Sequence, residues 1–448
     1  MRIAEIAQPG FFQYRPNAAS SSSEGDRFEP SGPQEPVRLT QAMLGELMRT
    51  NVGTDHLVAW KLQLPGGLVR DNPTFGPDGT VYVPQSGGTT LINSNEGRII
   101  DHHKFEQPCE AAAAMAPNGD LLLPHKGLTR YRPDMSEVWN QDKVPYGNQP
   151  PLLGPDQSTY VAGYSPKGTV TRVTPDGQIA WSTEVRRGTG DHMDTPMSLS
   201  PDGKRLYAGG EGILFALDPA SGKVLWGKGK AHSTVQVGCR PLVTPRDQVV
   251  VSGMSNQVTC FDSDGKEVWK WSARFEKRSD ELTRKEREEA FGWGNGLIES
   301  SPTLTRDGQT ILVAGDEKLL ALDLDGNLRW KKELPGASLL RDEAIQVGPD
   351  GSIYVKSDHN TQVWAFNEQG EQIWHYANHS PSGSAFMAVN QDTVVFVTRE
   401  GSAVALRQDA LRKRIEEVAA RPDDSPSQIQ VGNGVVTVGG VRVKTRAR

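Results

Sequence analysis

One phrase recurs along this chain: an alternating apolar run, a tight turn, a second short apolar run, then tryptophan. It reads LLALDLDGNLRW at 319–330, LFALDPASGKVLW at 214–226 and VTCFDSDGKEVW at 258–269. Further copies are VTRVTPDGQIAW (170–181), VWAFNEQGEQIW (363–374) and LTRYRPDMSEVW (128–139). Alternation puts apolar side chains on one face of a strand, and the Asp/Gly turn reverses it. Each copy therefore predicts a β-hairpin ending in a fixed aromatic. A unit repeated at a fixed period cannot bury its apolar face alone and must stack on its neighbours.

Each copy is preceded by a strand that opens near proline, a turn and a second strand, as in NPTFGPDGTVYV (72–83) and SPTLTRDGQTILV (301–313). The turns recur as Pro77-Asp78-Gly79, Pro117-Asn118-Gly119, Pro201-Asp202-Gly203 and Pro349-Asp350-Gly351. Four antiparallel strands in roughly 40 residues is the pattern of a β-propeller blade. The tryptophan slots fall at Trp60, Trp139, Trp181, Trp226, Trp269, Trp330 and Trp374, with an eighth slot occupied by Asp101. First strands begin near residues 73, 113, 151, 197, 241, 302, 345 and 386, again eight. The last unit lacks a fourth strand, and strand 57–64 lacks the first three. The chain is thus expected to be all-β: an eight-bladed propeller closed by strand 57–64 pairing with the last blade, which removes exposed sheet edges. The slot tryptophans, on outer strands, fill the gaps between neighbouring blades.

Around this ring, residues 1–36, with a Ser run at 20–23 and several prolines, are expected to be disordered. Residues 37–56 hold a short helix, Thr40 to Arg49, and a linker. The propeller spans 57–410. Its longest insertion, 272–298, is expected to carry a helix capped by Ser279 and a tip bearing Phe291 and Trp293, candidates for contact with a partner. Residues 411–448 read as a helix and a β-hairpin at 429–443, turning at Gly432-Asn433-Gly434.

The net charge of −6 and the pI near 5.9 argue against nucleic-acid binding, which needs a positive field. No apolar run reaches the roughly 18–20 residues of a transmembrane helix. The N-terminus lacks the apolar core of a Sec signal, so a cytoplasmic location is expected, with periplasmic or secreted placement by an unconventional route as the other option. Cys109, Cys239 and Cys260 are few, odd in number and far apart, and read as buried free thiols. The nine histidines show no zinc spacing, and Asp323 to Asn327 is only a fragment of a calcium loop. A monomer is expected.

In a propeller the first strand of each blade lines the central channel, and the residues leading into it ring one mouth. Those residues include Asp71, Asn72, Glu110, Asn148, Gln149, Asp194, Arg240, Glu299, Asp342 and Glu343. Carboxylates predominate, so the mouth is expected to attract cations or basic segments.

The phrase A-L-D-x-x-G-x-x-x-W, carried by Leu322-Asp323, Gly326 and Trp330 and by Leu217-Asp218, Gly222 and Trp226, resembles the tryptophan-docking motif of the pyrroloquinoline-quinone (PQQ)-like repeat. The resemblance extends over residues 57–407. It implies a quinoprotein-dehydrogenase-like propeller. That family divides into PQQ- and calcium-dependent dehydrogenases and propellers that bind no quinone, among them the lipoprotein of the outer-membrane barrel-assembly machine, a scaffold for protein contacts. The dehydrogenases carry a vicinal cysteine pair; this chain has none, nor a haem attachment motif. The expectation is a non-catalytic scaffold without cofactor, binding a protein or small ligand at the mouth and the 272–298 loop. The alternative is a divergent dehydrogenase using PQQ and calcium.

Overall fold

A computed structural model describes residues 57–407, apart from the short segments 107–108, 146, 148, 164–167, 186–194, 211–212, 230–238, 254–255, 291–296, 339, 341–342, 359–360, 378–383 and 392. It also describes the strand backbone at 430–432, 435–438 and 441–444. The expected disordered segment 1–36 and the helices expected at 40–49 and at the start of 411–448 lie outside the described residues.

Eight antiparallel sheets follow one another along the chain. The first blade is Thr74–Phe75, Thr80–Gln85, Gly88–Asn93 and Arg98–Lys104, and six more repeat this order through Gln372–Ala377. The eighth is built from both ends of the ring: Ala385–Val389, Val394–Thr398 and Ser402–Leu406, completed by Val58–Gln63. Lys61 pairs with Val404 and Gln63 with Ser402, as closure by the N-terminal strand requires. Apolar faces meet between blades: Leu242, Val258 and Trp271 of the fifth blade pack with Ile311, Leu320 and Leu322 of the sixth.

The slot tryptophans hold the joints. Trp269 is buried and donates its indole N–H to the Leu324 carbonyl, 3.0 Å away, in the turn of the next blade. The indole lies over Gly326 of that turn. A Cβ on Gly326 would sit 2.7 Å from the ring, and its φ of +82° suits only glycine well. The same bond to a turn carbonyl joins Trp60 to Ser94, Trp139 to Pro175, Trp181 to Pro219 and Trp226 to Ser263. Trp330 lies over Gly370 in the same way.

Two joints break the rule. Asp101 occupies the slot of the first blade and is exposed. In the turn it would face, the glycine position holds Met135, at φ +65° and 2% exposed. Met135 packs with Tyr82, Leu91, Leu121 and Tyr131, filling from the turn side the space an indole fills elsewhere. At the other joint, Trp374 faces the eighth blade, whose third and fourth strands come from opposite ends of the ring and share no hairpin. Its Nε1 is buried without an acceptor.

A one-residue register slip sits before every slot; in the fourth blade Ala216 pairs with Trp226 but Leu217 with Val224. Such a bulge turns the skipped side chain outward. Ile100, Val138, Leu225, Val268 and Ile373 all occupy this skipped position and are exposed for that reason. They stand singly, one to a blade, as scattered surface apolar residues do.

Two local expectations are corrected. The helix of the insertion starts later than Ser279: Thr283 caps Arg284–Glu289, with Glu286 completing the capping box. Before it, Lys277–Arg278 adds a short fifth strand to the blade, and the Ser279 N–H bonds Lys270, so Ser279 is held in a turn. Within 429–444 the described residues form three strands instead of the two of a hairpin: Val435–Val438 pairs with Gln430–Gly432 and also with Val441–Lys444.

The turns carry the acid sensitivity. Asp218 accepts the N–H groups of Ala220 and Ser221, and Asp323 those of Asp325 and Asn327. Backbone bonds, led by that from Ser221, hold the Asp218 carboxyl below its ordinary value. At Asp323 partial burial works upward, but the side-chain and backbone bonds from Asn327 outweigh it and the carboxyl is again lowered. A depressed folded pKa stabilises above the unfolded value and is lost as pH falls through the folded value. The melting temperature should therefore hold down to about pH 5 and fall below about pH 4. Asp218→Asn with Asp323→Asn, which keeps the acceptors without the titration, should make that fall shallower. Denaturant titration should also separate the joints. Trp269→Phe should cost about 1 kcal/mol more than Trp374→Phe, because only Trp269 loses an indole hydrogen bond.

Candidate channel-mouth site

The inner strands are short, as little as Thr74–Phe75 or Leu242–Val243, so the segments leading into them are fixed by hydrogen bonds from side chains. Asp71 accepts the N–H of Ala112 in the second blade at 2.9 Å and that of Asn72 at 2.7 Å. Asn72 accepts the N–H of Met387 in the eighth blade at 2.9 Å. Glu299 accepts the N–H of Leu340, leading into the seventh blade, at 3.2 Å. The Arg240 N–H bonds Ser301 Oγ at 2.8 Å, and the buried Cys239 thiol donates to the Glu299 and Ser300 carbonyls. Three of the carboxamide and carboxylate groups expected at the mouth thus clasp one blade to the next.

A second set links blades that are not neighbours. The Arg240 guanidinium meets Glu343 at 2.5 Å, with both side chains about three-quarters buried. The Asn72 amide donates to the other Glu343 oxygen at 3.4 Å. These residues belong to the fifth, seventh and first blades, so the pairs skip the sixth and eighth. Gln149 is half-buried at the lead-in of the third blade. Asn148, Asp194, Asp342, Phe291 and Trp293 lie outside the described residues.

Beside Asn72, where the eighth, first and second blades meet, opens a cleft of about 240 Å³ lined by Val69, Arg70, Glu110, Phe386 and Arg399. Sequence reasoning selected Glu110 but neither arginine, since Arg70 precedes the lead-in pair and Arg399 comes from the turn between the second and third strands of the eighth blade. Further clasps also escaped it: Ser198 to the Pro241 carbonyl at 2.6 Å, Gln346 to Met387 at 2.6 Å and Thr74 to Ala113 at 3.1 Å. Their signal was the polar residue recurring within the first strands. Arg70, Arg240 and Arg399 stand among the carboxylates, so the described mouth is of mixed sign.

Burial pushes the Cys109 and Cys260 thiols up to about 12, far from the reactive thiolate. Burial lowers His102, which bonds Thr90 Oγ1. Among the described residues no three His, Cys, Asp or Glu side chains are placed to hold a metal. Among them, too, no helix is long and apolar enough to cross a membrane.

Ring, joints and mouth define a closed eight-bladed propeller of PQQ-like repeats. The sequence profile described as outer membrane protein assembly factor BamB matches residues 58–274, 212–341 and 256–443, and the chain belongs to that family. Among solved structures, that of BamB from Moraxella catarrhalis superposes with a TM-score of 0.56 at 14% identity, covering 78% of this chain and 99% of that one. The computationally designed Ika8 protein gives 0.56 at 10% identity, covering 78% and 98%. Identities this low speak to the fold alone. No curated protein matches the sequence.

The clasps and the cleft should separate on mutation. Asp71→Ala leaves the Ala112 N–H unpaired and should cost about 1–3 kcal/mol in urea unfolding. Arg399→Gln, at an exposed side chain, should stay within about 0.5 kcal/mol of the parent.

Proposed function

We propose that this chain is a non-catalytic scaffold that holds a protein partner at its channel mouth and at the 272–298 insertion. Membership of the BamB family carries the reading, because the profile spans all eight blades and is named for an assembly factor of outer membrane proteins. By that analogy the partner belongs to outer-membrane protein assembly, and the chain works in the periplasm, the second of the locations considered from sequence. The mouth is where a ring gathers polar groups from every blade, and concave sites of this kind are where ligands settle. Carboxylates give it the capacity to hold basic groups, and the interleaved arginines let a partner of mixed charge dock. A quinone with calcium fits these residues poorly: Asp71 and Glu299 are engaged by backbone amides and Glu343 by Arg240.

Depleting the protein in its host should lower the amount of folded outer-membrane β-barrel proteins, and cell fractionation should recover the chain from the periplasm. Restoring it without residues 272–298 should rescue only partly. Unchanged barrel levels would remove the assembly reading. Calorimetric titration with PQQ, with and without calcium, should show no saturable binding. Calcium-dependent binding in the micromolar range would put the dehydrogenase in its place.

A further inference from the structure

We infer that the cleft between the eighth, first and second blades is a carboxylate-binding site for an extended peptide, anchored by Arg70 and Arg399. This names the chemistry of the partner at the mouth proposed above and rests on that reading.

The cleft is built from rigid parts. The Val69 N–H bonds the Arg399 carbonyl at 2.8 Å, the Arg70 N–H bonds Pro84 at 3.1 Å, and the Arg399 N–H bonds Ser384 at 2.9 Å. Two guanidinium groups therefore arise from backbone segments that are themselves hydrogen-bonded. Among the described residues neither has a carboxylate within ion-pair distance, although Arg130, Arg172, Arg205, Arg240, Arg246, Arg274 and Arg278 all do. The Arg70 Nε is buried and lacks any acceptor. Two positive groups lining one cleft favour an anion, and a buried N–H without an acceptor costs free energy; a ligand carboxylate answers both.

The other lining groups narrow the choice. Guanidinium forks match carboxylates in two parallel hydrogen bonds. Phe386, partly exposed, gives the cleft an apolar patch, suited to an aliphatic or aromatic side chain next to the carboxylate. Its volume of about 240 Å³ admits about one residue of a peptide and excludes a folded surface. Glu110 in the same lining disfavours a ligand with a second negative charge, so a single carboxylate fits better than an acidic run. Such a group is either a peptide C-terminus or one glutamate beside an apolar residue.

Three peptides distinguish these cases on the full chain by calorimetry: N-acetyl-Gly-Gly-Phe as free acid, the same peptide as its amide, and N-acetyl-Gly-Glu-Phe amide. The free acid, the glutamate peptide or both should bind, weakening as salt is raised, while the Gly-Gly-Phe amide should not. Arg70→Gln and Arg399→Gln should each weaken binding at least about tenfold. Arg399→Lys, retaining charge without the fork, should fall between parent and Gln variant, and Glu110→Gln should tighten binding. Binding of the free acid alone assigns a C-terminal carboxylate; binding of the glutamate peptide assigns an internal one. The inference is overturned if the amide binds as well as the acid, if the arginine substitutions leave binding unchanged, or if no peptide binds below about 10 mM. Since barrel-protein levels are measured separately, failure here with a positive depletion result would overturn the carboxylate site and leave the scaffold standing.

Discussion

The indole of an outer strand, laid over the glycine of the next blade's turn, is the contact that recurs around the ring and on which most of its joints depend. It is a hydrogen bond, a burial of aromatic surface and a steric demand at once. The Leu324 carbonyl needs the Trp269 N–H, and the indole needs Gly326 to have no side chain. Each joint ties the outer strand of one blade to the outer turn of the next, at the radius where wedge-shaped sheets would otherwise gape. The clasps at the inner strands, Asp71 to Ala112 and Gln346 to Met387 among them, do the same at the channel. Where both occur, neighbouring blades are pinned at both radii.

The exceptions show what the joint requires. Where Asp101 stands in the slot, the facing position is not glycine but Met135, whose side chain fills the space from the opposite direction. Packing volume is conserved across the interface although both residues have changed, as close-packed interiors demand. Where the ring is closed by its own two ends, the turn is missing and Trp374 keeps its burial without its hydrogen bond. Closure by an N-terminal strand removes a sheet edge and leaves one polar group unsatisfied.

Among the segments leading into the inner strands, some side chains are committed to the ring and their neighbours are not. Asp71, Asn72 and Glu299 are occupied by backbone amides, and Glu343 by Arg240. Arg70 and Arg399 are instead left facing a cleft. Neutralising every mouth carboxylate together would therefore loosen the ring as well as change its field, and single substitutions at the cleft are the cleaner probe.

The sequence alone determined the ring. Slot tryptophans, Asp/Gly turns and two incomplete end units specify eight blades and their closure, because a β period and a turn residue act through neighbours in the chain. It also placed Gly326 in the turn of one copy and Trp269 at the slot of another, without pairing the two. What only the tertiary structure decided was which mouth residues meet. Glu343 reaches Arg240 and Asn72 across skipped blades, Met135 answers Asp101, and Arg399 joins Arg70 from the far end of the chain. Those pairings depend on the ring's radius and on side-chain reach between different blades, and no local pattern records either.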